Sequence, residues 1–73
     1  SMRLLGRVGS IDDARRLASA LGGQGIRAEF RSDEEGVSVW VLDEDRLTAA
    51  RGEFAAFEAD PTADRFRVTP LPE

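Results

Sequence analysis

Two stretches of the chain space their apolar residues by three and four positions, and each therefore predicts a helix with one apolar side. The apolar positions are Ile11, Ala14, Leu17, Ala18 and Leu21 in the first stretch, and Leu47, Ala50, Phe54 and Phe57 in the second. A chain of 73 residues can build only one small core. The two apolar sides must therefore be covered by the same partner.

Extended segments supply that partner. Residues 26–31 alternate apolar and charged side chains, residues 37–42 are rich in β-branched residues, and residues 2–8 are mainly apolar. The polar residues 32–36 predict a hairpin loop. We therefore predict a two-layer α+β fold, in which an antiparallel or mixed sheet of three or four strands carries two helices on one face. The element order βαββα(β) is ferredoxin-like.

Local signals predict where the helices begin and end. Ser10 is placed to cap the first helix, and the glycine-rich residues 22–25 predict its end. Asp43 is predicted to cap the second helix. Asp60-Pro61 ends that helix, because proline disfavours helical dihedral angles in the residue before it.

We predict a single domain over residues 2–69. Residues 65–69 form either a fourth strand or an arm lying across the sheet, and residues 70–73 begin a linker. Ser1 is interpreted as an expression scar before a natural start at Met2. No apolar run approaches the ~20 residues of a membrane-spanning helix.

The residue types exclude most catalytic chemistry. Histidine, Cys, Lys and Tyr are absent, so the serines have no base to activate them. The acidic runs 33–35 and 43–45 lack the alternating spacing of a calcium-binding loop. We expect no catalytic residue, no cofactor and no metal site. A net charge of −4 without a basic stripe also argues against a nucleic acid partner.

Trp40 is the one large side chain whose environment the sequence leaves open. If the valines at 37, 39 and 41 face the helices, Trp40 lies on the opposite sheet face, where an exposed Trp indicates a partner surface or a homodimer contact. Alternatively, the C-terminal arm covers Trp40, with Phe66 above it, or the two faces are reversed. Protected Trp40 fluorescence in a dilute monomer would contradict the partner surface.

A cluster of four arginines is a second hypothesis for an interaction surface. The net charge repels anionic lipid headgroups, so contact with a membrane surface requires a local group of cations. Arg27, Arg31, Arg65 and Arg67 are the candidates. No role beyond this contact is predicted for them.

The second half of the chain resembles the N-terminal cytoplasmic domain of bacterial rhomboid intramembrane serine proteases of the GlpG type. The resemblance lies in "VWVLDED", "RLTAARGEFAAFEADP" and "TADRF", and in the first half a strand followed by a helix ending near "GGQGI" also fits. It implies an accessory domain at the cytoplasmic face of the bacterial inner membrane, joined to the transmembrane protease domain of the same chain. The catalytic Ser and His of that family lie on membrane-spanning helices, so no catalytic residue is assigned here. Tuning of activity, positioning at the membrane surface and dimer formation are the implied roles.

Two other interpretations remain open. The stretch "VGSIDDARRLASALGGQGIRAEF" also resembles the opening of the peptidoglycan-binding SPOR repeat and of a short signal-transducing domain. Either would make this chain a free-standing ligand-binding or signalling module. A soluble enzyme is the third interpretation, against which the missing base and the small core argue.

Overall fold

The computed structural model describes residues 1–67 and shows three strands and two helices. The elements are β1 (Arg3–Val8), α1 (Ile11–Gly23), β2 (Ala28–Asp33), β3 (Gly36–Val41) and α2 (Leu47–Ala59), with 3₁₀ turns at Glu44–Arg46 and Asp64–Phe66. The helices and the sheet enclose one core. This arrangement confirms the predicted two-layer α+β fold. The linker predicted at residues 70–73 lies outside the described residues.

The central strand of the sheet is β3, which runs antiparallel to both neighbours in the order β1-β3-β2. β1 and β2 therefore run parallel to each other, with α1 connecting them, which is the split βαβ arrangement. Of the strand or arm predicted at 65–69, Arg65 and Phe66 lie in a 3₁₀ turn, and residues 68–69 lie outside the described part of the chain. An extended strand is wrong for Arg65 and Phe66, because the chain folds back over the helices to bury the Phe66 ring.

The core lies between the sheet and the helices. Its buried apolar side chains are Ala14, Leu17, Leu21, Ile26, Val37, Val39, Val41, Ala50, Phe57 and Phe66. On β1, the register shifts by a bulge between Leu4 and Gly6. A Cβ atom at Gly6 would lie 2.4 Å from Cε2 of Phe54, so the absence of a side chain lets α2 approach β1.

The predicted cap of the first helix is confirmed. Asp43 holds the predicted N-cap position, at the 3₁₀ turn that leads into α2, but its side chain makes no capping hydrogen bond. Ser10 Oγ accepts a hydrogen bond of 3.1 Å from the backbone N–H of Asp13. The Asp43 side chain caps nothing, because its carboxylate instead accepts two hydrogen bonds from the guanidinium of Arg27. As predicted, α2 ends immediately before Asp60.

The hairpin loop is shorter than predicted. β2 continues through Asp33 and β3 begins at Gly36, which leaves only Glu34 and Glu35 at the turn. Asp33 Oδ1 accepts a 2.8 Å hydrogen bond from the Glu35 backbone N–H, and Gly36 has a φ of 126°. A residue with a side chain would be strained at that φ, so Gly36 fixes where β3 begins.

Candidate functional site

Trp40 lies on the sheet face that points away from the helices. Its cross-strand neighbours are Leu4 on β1 and Glu29 on β2. Trp40 Nε1 donates a hydrogen bond of 3.2 Å to Ser38 Oγ, and that hydroxyl donates one of 3.4 Å to the Arg31 carbonyl. The indole is thereby held along its own strand, half-buried, and Ser38 beneath it is only 5% exposed.

We call this surface the open face and define it by Leu4, Arg7, Glu29, Arg31 and Trp40. Leu4 is 47% exposed, which makes it one of the most exposed large apolar side chains in the described residues. Phe66 does not cover Trp40 as one alternative predicted, because its ring packs into the core on the helix side of the sheet. Within residues 1–67, the open face thus combines an exposed Leu, a half-exposed Trp and charged side chains.

The structure divides the four predicted arginines between two places. Arg27 lies immediately before β2 and beside Asp43, and Arg31 lies on the open face. Arg65 binds Glu53 of α2 and lies 5.4 Å from the Phe66 ring centroid, whereas Arg67 lies 3.4 Å from Asp64. Arg27 and Arg31 lie beside and in β2, whereas Arg65 and Arg67 lie in and just after the turn that packs on α1, so the four are divided between two parts of the fold.

The pair of Arg27 and Asp43 is a two-point contact. Arg27 donates from Nη2 to Asp43 Oδ1 at 2.6 Å and from Nε to Oδ2 at 3.1 Å. This hydrogen bonding lowers the pKa of the Asp43 carboxyl and raises the pKa of the Arg27 guanidinium. At the hairpin, the Glu35 N–H and then the Arg7 guanidinium lower the pKa of Asp33. Both aspartates therefore stabilise the folded sheet in their charged form.

Glu53 is a buried charged residue that the sequence analysis missed. Its side chain is 4% exposed, and Oε2 accepts hydrogen bonds from Gln24 Nε2 and Arg65 Nη2. Oε1 is buried without a partner among the described residues. A sequence signal exists, because Glu53 follows Ala50 by three positions and precedes Phe57 by four, which places it on the buried side of α2. Glu53 joins the end of α1 to the turn after α2.

A groove of about 550 Å³ lies between α1 and residues 62–67, and it was also not predicted. Its lining residues are Asp12, Arg15, Arg16, Thr62, Ala63 and Arg67. Arg16 joins the two walls, since its Nη1 donates a 2.9 Å hydrogen bond to the Pro61 carbonyl and its Nη2 binds Asp13. We call this feature the arginine groove.

The described residues contain no group of three metal-ligating side chains placed to hold an ion. No helix within residues 1–67 has both the length and the apolar character needed to cross a membrane. Both surfaces are suited to binding. The open face offers apolar contact, and the arginine groove offers guanidinium groups.

Comparisons with known proteins give one match. A family model described as the cytoplasmic N-terminal domain of rhomboid serine protease matches residues 2–69. Neither a curated protein nor a solved structure matches the chain. The match covers almost the whole length, including both helices and all three strands of the described residues.

Proposed function

Because this chain belongs to the family of cytoplasmic N-terminal domains of rhomboid serine proteases, we propose that it modulates the protease of its own chain without taking part in the chemistry. The family match over residues 2–69 is the observation that carries this proposal. It favours the accessory domain over a free-standing signalling or SPOR-like module. The absence of His, Cys, Lys and Tyr from the sequence agrees with a role in binding.

The open face is the surface we propose for this modulation, with the transmembrane part of the same protease as its partner. Leu4 and Trp40 are paired across β1 and β3 and offer apolar area that the helices leave uncovered. Arg31 lies on the same face, and Arg27 is bonded to Asp43 just after the end of β3. An apolar centre with charged neighbours is the usual composition of a protein interface. Linkage within one chain raises the effective concentration of such a contact, so a small surface suffices.

We further propose that the domain lies at the cytoplasmic face of a bacterial inner membrane and that its protease is of the GlpG type.

Homodimer formation through the same open face is the competing role. A dimer would bury Trp40 in the isolated chain, whereas docking on the protease would bury it only in the full protein. Trp40 fluorescence in the isolated chain, measured over a dilution series, separates the two: emission independent of concentration favours docking.

The test uses the full-length protein that contains this domain. We expect Leu4→Glu to change the rate of substrate cleavage in membranes in the same direction as deletion of residues 2–69. The matched control is Ala49→Glu, which adds the same charge at an exposed position of α2. If deletion of the domain leaves cleavage unchanged, modulation is wrong. If deletion acts but Leu4→Glu behaves like the control, the open face is the wrong surface.

A further inference from the structure

We propose that the arginine groove binds a phosphate group. Three guanidinium groups, from Arg15, Arg16 and Arg67, line it together with only one carboxylate, that of Asp12. Outside this lining, Asp13 binds Arg16 and Asp64 lies 3.4 Å from Arg67, so Arg15 is the lining cation that has no ion pair among the described residues. A volume of about 550 Å³ is large enough for a phosphate ester with part of its organic substituent.

Two of the three guanidinium groups have donors left for a ligand. Arg15 makes no ion pair or side-chain hydrogen bond to the described residues. Arg67 makes a 3.4 Å pair with Asp64, but the two side chains are 75% and 93% exposed, so water competes with that contact. An anion between Arg15 and Arg67 would receive hydrogen bonds from both walls of the groove.

Arg16 joins the two walls of the groove, and the anion is bound by Arg15 and Arg67. It is bonded to the Pro61 carbonyl and to Asp13, and its guanidinium lies 5.7 Å from the Phe57 ring centroid. The opposite wall is fixed as well, because Thr62 Oγ1 donates a 2.9 Å hydrogen bond to Asp60 Oδ1. Both walls are thereby held in place, so a ligand would order mainly the exposed side chains of Arg15 and Arg67.

Phosphate matches this groove better than a carboxylate does. A carboxylate has two oxygens and is satisfied by one guanidinium fork, whereas a phosphate ester presents enough oxygens for forks from two directions. Asp12 repels either anion, so the preference for phosphate rests on its number of acceptor oxygens and on the presence of both Arg15 and Arg67 in the lining. The groove therefore favours an anion that can accept hydrogen bonds from two guanidinium groups at once.

The phosphate can belong to the headgroup of an anionic phospholipid or to a soluble phosphate ester. We expect the headgroup, and this choice of source rests on the proposed function. Arg67 lies toward the C-terminal end of the matched residues, and in the family the protease follows the N-terminal domain. A domain attached to a membrane protein meets lipid phosphates at high local concentration.

The experiment compares two double variants of the 73-residue chain. Arg15→Gln/Arg67→Gln removes the two available guanidinium groups, and Arg3→Gln/Arg51→Gln removes two exposed ones outside the groove, giving the same net charge. One arm follows backbone amide shifts by NMR during titration with inorganic pyrophosphate. The other arm measures co-sedimentation with vesicles of phosphatidylcholine, with and without phosphatidylglycerol.

We expect pyrophosphate to shift amides around residues 12–16 and 62–67, with affinity about tenfold weaker in the groove variant and unchanged in the control variant. Binding to phosphatidylglycerol vesicles that follows the same pattern identifies a lipid source, and pyrophosphate binding alone identifies a soluble one. Absence of binding in both arms, or equal loss in both variants, would overturn the proposal. The deletion test of the full-length protease is independent of all these outcomes.

Discussion

The ring of Phe66 stands at 89° to the ring of Phe57, with 4.9 Å between the two centroids. This edge-to-face contact attaches the turn after α2 to the buried side of the helix that it follows. Phe66 is only 1% exposed although it lies close to the end of the described residues. The turn Asp64–Phe66 is therefore part of the core and closes it over α1.

We expect Phe66→Ala to lower the free energy of unfolding by about 3–5 kcal/mol, because it removes a buried ring and leaves a cavity. Urea unfolding followed by circular dichroism measures the change. If the variant does not fold, Phe66→Leu serves in its place and should retain a cooperative transition. A loss below about 1 kcal/mol for Phe66→Ala would contradict the burial of the Phe66 ring against Phe57.

Gly6→Ala tests the close approach of α2 to β1. Its new methyl group would meet the Phe54 ring at 2.4–2.5 Å, so we expect a loss of about 1–3 kcal/mol of stability. Phe54→Leu should relieve the clash, and the double variant should then be more stable than the sum of the single losses predicts. Gly9→Ala is the matched control, since no atom lies within 4 Å of its added Cβ. Equal losses at the two glycines would show that the Phe54 contact is not the cause.

Arg65 and Glu53 should differ sharply in the effect of their loss. Arg65→Ala leaves a carboxylate that is 4% exposed without its cation, so we expect a loss of up to about 3 kcal/mol. Glu53→Gln removes the buried charge itself and keeps a side chain of the same shape, so its loss should be smaller. The same denaturation series measures both variants. A larger loss for Glu53→Gln would mean that the ion pair itself supplies the stability.

Stability should decrease in acid because of the two paired aspartates. Their pKa values are lower in the folded chain than the ordinary value, so their contribution is complete above the ordinary pKa and disappears as the pH falls through the lowered one. Between about pH 5 and about pH 2, Asp43→Asn should therefore lose less stability than the natural sequence does. Asp45→Asn is the control, since Asp45 makes no ion pair among the described residues. An identical acid response of the two variants would rule out the pair with Arg27 as a source of pH dependence.

The elements could be predicted from the sequence because their signals are local. Periodicity, the Ser10 cap and Asp60-Pro61 each act within a few residues, and the structure bears them out. The contacts that could not be predicted join distant positions. Asp43 has the type and place of a cap, but the Arg27 fork sixteen positions away binds it instead. The arginine groove requires two segments about fifty residues apart in sequence to meet.

The resemblance in "VWVLDED" and "TADRF" placed the chain in its family, and it carried information that chemistry alone did not. Glu53 shows the opposite case. Its position on the buried side of α2 follows from simple spacing, yet a charged residue type argues for exposure, and only the positions of Gln24 and Arg65 resolve the conflict.

The strand order has a consequence for the behaviour of the chain at high concentration. In residues 1–67 both outer strands, β1 and β2, leave backbone hydrogen-bonding groups facing outward. Such strands can pair with other copies and begin aggregation. Here β1 is interrupted by its bulge, and β2 alternates charged Glu29, Arg31 and Asp33 along its length. Both edges are thus poor templates for pairing with strands of other copies. The apolar Leu4–Trp40 surface therefore lies on a sheet whose edges do not favour aggregation.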